Sequence, residues 1–143
     1  SGGTNWITVE SYRNNNGSER ESAKEFEDWG LPTAYVLAGL GDIRGPVLAS
    51  GGIRTGMDIA KAVALGADLA GLALPFIRAE VDRGIDGVSE LIQSLATTVR
   101  NVMVLTGSKS IKELRRVPLW YDGDFGRAVD SIRAAGRTAP YLV

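Results

Sequence analysis

Apolar positions in this chain change spacing twice around residue 50, and the changes mark its elements. Val47, Leu48 and Ala49 run without a polar break after Pro46. A run that short, bounded by turn residues, reads as a buried strand. Gly51 and Gly52 follow, and then Ile59, Ala60, Val63, Ala64 and Ala67 recur at helical spacing. Thr55 is placed to cap that helix, Asp58 fills the acidic slot of a capping box, and Gly66 sits where the helix stops. Leu69 to Leu74 form a second apolar run, and Pro75 opens the next helix. Two consecutive strand–helix units predict a parallel α/β sheet.

The flanking segments follow the same logic. Pro75 to Arg83 reads as a helix stopped by Gly84. Asp86 to Leu105 is the longest helix, with Val88, Leu91, Ile92, Leu95, Val99, Val102 and Met103 on one stripe and Gly107 at its end. Ser110 and Glu113 form another capping pattern ahead of a short helix. Pro118 to Tyr121 suggests a short edge strand, and Phe125, Val129 and Ile132 mark a last amphipathic helix ending at Gly136. Upstream, Asn14 to Ser22 holds no apolar residue and reads as a mobile surface loop. Ala23 to Trp29 is expected to form a short helix closed by Gly30, and Pro32 and Thr33 start another with Tyr35, Val36, Leu37 and Leu40 on its apolar side. Glu10 and Arg13 are spaced to pair on a helix, and Trp6 and Trp29 are expected as core or interface aromatics.

Composition narrows the function. The 143 residues suffice for one domain with a core. Sixteen Lys and Arg balance 17 Asp and Glu, a net charge of −1, so no basic surplus points to nucleic acid. With no Cys and no His, disulfides, thiolate nucleophiles, Cys/His metal sites and histidine acid–base chemistry are excluded within this chain. No apolar run reaches membrane-spanning length, and a cytoplasmic location is expected. Ser1 to Thr4 reads as a turn lacking the strand before it, as though the chain were cut from a longer one. Two parallel strands cannot bury both their faces. About half a barrel is therefore expected to be missing or supplied by another chain.

The candidate chemistry lies at the double glycine. Without a Cβ, Gly51 and Gly52 can take positive φ and lie flat against a ligand. Their N–H groups, a helix N-terminus and the charge of Arg54 converge as an anion would require. An ordinary strand-to-helix turn explains the same residues. In (β/α)8 barrels, however, a phosphate often sits between the loops after strands 7 and 8. Ser50 to Gly56 and Ala73 to Phe76 are spaced as that pair of loops would be. Asp58 is read as a capping residue and not as a catalyst, because its spacing to Thr55 already accounts for it.

Several stretches then match a known pattern in order. They are Gly2-Gly3-Thr4-Asn5-Trp6 with Glu10 and Arg13, Trp29 to Ala34, Ser50 to Gly56, Ala64 to Asp68, Ala73 to Pro75, and Leu105 to Ser108. Over residues 1–119 the chain resembles the C-terminal part of type 2, FMN-dependent isopentenyl-diphosphate isomerases, archaeal members above all. The Ser-Gly-Gly-Ile-Arg segment recurs in many FMN barrels, whereas Gly-Gly-Thr-Asn-Trp combined with Trp-Gly-Leu-Pro-Thr is more specific. The resemblance implies an α/β fold, the C-terminal portion of a TIM (β/α)8 barrel. It implies conversion of isopentenyl diphosphate to dimethylallyl diphosphate by reduced FMN, with Mg²⁺ on the substrate diphosphate and NAD(P)H as reductant. Thr4 would contact FMN, and Gly52, Ile53, Arg54, Ala73 and Leu74 would hold its phosphate. The family's catalytic and metal-binding groups would lie upstream, so no catalytic or metal residue is assigned here. The expected partners are the N-terminal half-barrel, the diphosphate substrate and further copies in a homo-oligomer. Residues 120–143 depart from the family pattern and are expected to form a tail with a short helix, in which Asp124-Phe125-Gly126 is a helix-start turn. Two other readings stay open. One is an FMN-dependent oxidoreductase of a related barrel, which would usually carry a His or Cys late in the chain. The other is a half-barrel that binds phosphate without chemistry.

Overall fold

The computed structural model describes residues 6–13, 17–26, 29–40 and 45–134. Its elements in chain order are α1 (Trp6–Arg13), α2 (Gly17–Lys24), α3 (Thr33–Gly39), β1 (Leu48–Ser50), α4 (Gly56–Ala64), β2 (Leu69–Gly71), α5 (Leu74–Leu105), α6 (Ile111–Leu114) and α7 (Gly123–Ala134). The two strands are parallel, with Leu48 opposite Leu69, Ala49 opposite Ala70 and Ser50 opposite Gly71. With α4 as crossover they form the βαβ unit that the hydrophobic spacing predicts. Alternation along each strand then sorts its side chains to two faces. Ala49 is buried under the helices with Leu37 of α3, Ile53, Ala62 of α4 and Ala67. Leu48 and Leu69 stand side by side on the other face and are 65% and 62% exposed.

A second cluster joins Ala60 and Val63 of α4 to Leu114 of α6, with Val102, Met103 and Val117 packed around it. Close approach of α4 to α5 depends on Gly56. A Cβ there would lie 2.5 Å from Thr98 Cβ and 2.7 Å from the Leu95 carbonyl. The expected break at Gly84 is present. Helix α5 is interrupted where Arg83 (φ −144°, ψ 17°) and Gly84 (φ 58°, ψ −147°) leave helical geometry. The Glu10–Arg13 pair also forms, at 3.4 Å.

Five expectations are corrected. Residues 17–24 form helix α2, not a loop. A lack of apolar residues removes a buried face but not helix propensity, and Glu19 in the first turn, Lys24 in the last and a Lys24–Glu21 pair at 2.5 Å all support the helix. The helix expected over 23–29 is not a separate one among the described residues; Ala23 and Lys24 end α2, and the chain leaves it through turns in which Glu25 N–H reaches the Ser22 carbonyl and Phe26 N–H the Ala23 carbonyl. Pro118 to Tyr121 is not a strand, since neither β1 nor β2 pairs with it. The second run is extended only from Leu69 to Gly71, and Leu74 already belongs to α5. Trp29 is 56% exposed with Phe26 edge-on at 5.8 Å, so it is not a core residue among the described ones.

The tail does form a helix, α7. It packs on α3 through an edge-on contact of Phe125 with Tyr35 at 4.9 Å, a fully buried Val129, and Ile132 beside Gly39.

Candidate functional site

Because β1 and β2 are parallel and in register, the turns that follow them lie next to each other at the C-terminal edge of the sheet. That edge is where (β/α)8 barrels place their sites. The turn after β1 passes through Gly51 at φ 101° and Gly52 at φ 75°, the left-handed region expected of them. The Gly51 N–H lies in ladder register with the Gly71 carbonyl, whereas those of Gly52 and Ile53 give no hydrogen bond to another described residue. The turn after β2 leads through Ala73, the N-cap of α5, which has no capping side chain. Leu74 N–H likewise meets no acceptor among the described residues. The two turns therefore present unused backbone donors from adjacent strands.

The N-terminus of α4 is different, because it is capped from within. Thr55 Oγ1 accepts from Asp58 N–H at 3.1 Å. Asp58 Oδ2 accepts from Arg54 N–H at 3.1 Å, from Thr55 N–H at 3.0 Å and from the Thr55 hydroxyl at 2.8 Å. Partial burial pushes the Asp58 carboxyl up, but these bonds and the charge of Lys61 outweigh it and hold the group below the ordinary aspartate range. Asp58 is thus the capping residue the spacing indicated. The backbone N–H of Arg54 is spent on it, and what Arg54 can offer a ligand is its exposed guanidinium, which forms no ion pair among the described residues.

Of the residues proposed from sequence, Gly52, Ile53 and Arg54 share one turn, and Ala73 and Leu74 share its neighbour. Thr4 lies outside the described residues. Sequence reasoning missed Thr33. Its hydroxyl lies 3.0 Å from the Ser50 carbonyl and 2.7 Å from the Gly51 carbonyl, so the first turn of α3 is tied to the double-glycine turn. A cavity of about 220 Å³ opens on that side, lined in part by Thr33, Leu37, Gly52, Ile53, Asp58 and Lys61. Sequence gave no sign of this tie, which spans 17 residues of chain. Also missed was a clamp at the opposite, N-terminal edge of the strands. Asp68 accepts from Val47 N–H at 2.8 Å and from Arg115 at 2.5 Å, while Arg115 also reaches the Gly66 carbonyl at 2.9 Å. The Val47 N–H and the Arg115 guanidinium hold the Asp68 carboxyl below its ordinary value against the opposing pull of burial. This end of the strands serves stability.

Among the described residues no three His, Cys, Asp or Glu side chains cluster as a metal site would, and no helix is long and apolar enough to cross a membrane.

Comparison with known proteins bears on this geometry. The family model described as FMN-dependent dehydrogenase matches residues 31–121. A Pyrococcus abyssi protein named isopentenyl-diphosphate delta-isomerase is 46% identical over 126 residues, which cover 85% of this chain and 33% of the relative. Proteins of the same name from Borrelia garinii subsp. bavariensis and Sulfurisphaera tokodaii are 46% identical over 117 residues (81% of this chain, 32% of the relative) and 39% identical over 134 residues (91% and 36%). The chain spans about a third of the length of these curated relatives. Among solved structures, that of a mandelate oxidase is similar, with a TM-score of 0.59 and 38% identity over 62% of this chain and 28% of that one. Family and neighbour together assign the βαβ unit to a TIM-barrel fold.

Proposed function

The chain belongs to the FMN-dependent dehydrogenase family, and we propose that it forms the flavin-phosphate site of an FMN-dependent, type 2 isopentenyl-diphosphate isomerase. The observation that carries the reading is the row of unused N–H donors on Gly52, Ile53 and Leu74, presented by two adjacent turns at the C-terminal edge of a parallel sheet. Such donors are what a phosphate accepts from. The relatives' shared name supports the isomerase, with isopentenyl and dimethylallyl diphosphate as its substrate and product.

Bound reduced FMN would supply the proton transfers of the double-bond shift. This chain's part is to hold the cofactor. Gly52, Ile53, Ala73 and Leu74 present backbone to the phosphate, the Arg54 guanidinium adds a fixed charge, and Thr4 contacts the flavin. Asp58 keeps the turn in shape without competing for the Gly52 and Ile53 donors, because its oxygen is already engaged by Arg54 and Thr55. Residues 1–119 carry this half-barrel, and residues 120–143 are a tail outside it. Mg²⁺ on the substrate diphosphate, NAD(P)H as reductant, a homo-oligomeric state, completion by N-terminal barrel units and a cytoplasmic location belong to the same proposal and rest on the resemblance alone.

The test is flavin fluorescence titration. Loss of one charge-assisted contact weakens binding by about 1.5–3 kcal/mol. Arg54→Ala should therefore lower FMN affinity at least about tenfold, whereas Arg127→Ala, on α7, should not. Equal effects would refute the site. Product formation from isopentenyl diphosphate with FMN, Mg²⁺ and a reductant tests the isomerase. The 38% identity to mandelate oxidase favours a second reading, an oxidoreductase acting on a 2-hydroxy acid. Flavin bleaching by such an acid would select it.

A further inference from the structure

From the tie between α3 and the turn after β1 we infer that Thr33 is a positioning residue, which aims the backbone donors of the double-glycine turn at the flavin phosphate. The inference rests on the phosphate reading above. A trans peptide is planar, and its C=O and N–H point in opposite directions. The Thr33 hydroxyl draws the Ser50 and Gly51 carbonyls toward α3, at 3.0 and 2.7 Å. The N–H groups of the same two peptides belong to Gly51 and Gly52, so they are turned away from α3. The Gly51 N–H lies in ladder register with the Gly71 carbonyl, and the Gly52 N–H, unused among the described residues, is the donor left for the ligand.

Two further observations agree. A Cβ on Gly51 would come 3.0 Å from Thr33 Oγ1, so the turn and the hydroxyl occupy one close-fitting arrangement. Helix α3 is itself held from behind, where Tyr35 meets Phe125 of α7 at 4.9 Å. Thr33 is the first residue of α3, and no capping bond of that helix uses its side chain. Its hydroxyl is therefore committed to the turn and not to the helix that carries it.

The experiment compares FMN with riboflavin, which lacks the phosphate, by fluorescence titration of the full chain. Wild type should prefer FMN; absence of that preference would overturn the phosphate reading, and this inference with it. Given the preference, Thr33→Val, which keeps the shape and removes the hydroxyl, should lower FMN affinity about tenfold and leave riboflavin affinity unchanged. Thr33→Ser should restore wild-type FMN affinity. A parallel fall for both flavins, or no fall for FMN, would overturn the role of Thr33 while leaving the phosphate site standing. Should Thr33→Val bind neither flavin, Thr33→Ser and Thr33→Ala decide. FMN selectivity kept by Ser and lost by Ala supports the inference, and equal selectivity in the two overturns it.

Discussion

Replacing Asp58 with Ala removes the acceptor of three hydrogen bonds at the start of α4. It also leaves the Arg54 and Thr55 N–H groups to water and deletes a negative charge from a helix N-terminus. Loss of a capping side chain costs about 1 kcal/mol, and the lost charge at the helix end adds about 0.3–1 kcal/mol. Both turn and helix face solvent, so the sum lies near 1.5–2 kcal/mol and not at the figure for a buried network. For a chain of about this length 1 kcal/mol moves Tm by about 2–4 °C, so Asp58→Ala should melt about 3–8 °C below wild type at pH 7. The pH dependence carries the sharper test. The folded carboxyl titrates below the ordinary aspartate range. Its contribution is therefore present in full above the unfolded value and is lost as pH falls through the folded one. The gap between wild type and variant should be constant above about pH 5 and close as pH drops below about 4. Thermal melts followed by circular dichroism from pH 7 to pH 2.5 measure it. A gap that stays the same at low pH would show that the charge plays no part, and no gap at pH 7 would refute the capping argument itself.

Two other substitutions test the packing that supports the site. Gly56→Ala gains about 1 kcal/mol of helix propensity but drives a Cβ against the Leu95 carbonyl and Thr98 Cβ. Because a backbone atom cannot turn aside, overpacking of about 1–3 kcal/mol should win, and urea denaturation should show net destabilisation; a more stable variant would mean that α4 and α5 separate freely. Val129→Ala removes two carbons from a fully buried position on α7; at about 0.8 kcal/mol each plus the cavity left behind, it should cost roughly 2 kcal/mol and open α7 to protease, and unchanged proteolysis would show that the tail is not anchored on α3.

How much of this was legible in the sequence depended on how local each cause is. The capping box needs only Thr55 and Asp58 three residues apart, and the positive φ at Gly51 and Gly52 needs only the absence of two Cβ atoms. Both could be read. The break at Gly84 and the buried stripe of α4 are also local. Helix α2 escapes a reading by hydrophobic pattern because its stability comes from charges placed along it and not from an apolar face, and polarity alone reads as a loop. Pro118 to Tyr121 has strand-like residues, but a strand exists only with a neighbour to pair with, which no local pattern reveals. Thr33 and the Asp68–Arg115 pair join positions 17 and 47 residues apart, and nothing along the chain marks a polar side chain for a partner that distant.

The turn at the site then shows how its polar groups are divided. A helix N-terminus attracts any anion, and in α4 the nearest one is the chain's own Asp58. A phosphate placed directly on that helix would have to displace a carboxylate held by three donors or sit beside its negative charge, and both oppose binding. One residue earlier the conflict disappears. The carbonyls of Ser50 and Gly51 are taken by Thr33, the N–H of Gly51 lies in ladder register with Gly71, the N–H groups of Arg54 and Thr55 are taken by Asp58, and what remains between them is the N–H of Gly52 and Ile53. Thus the anion-binding capacity of this turn resides in its glycine backbone and in the Arg54 side chain, and the dipole of α4 acts on the ligand only through an end that Asp58 has already neutralised. It follows that removing Asp58 should free donors as well as loosen the turn. Asp58→Ala should bind FMN no more than modestly worse than wild type despite its lower melting temperature, whereas Arg54→Ala should bind worse without melting lower. The two readouts separate a group that shapes the site from one that touches the ligand.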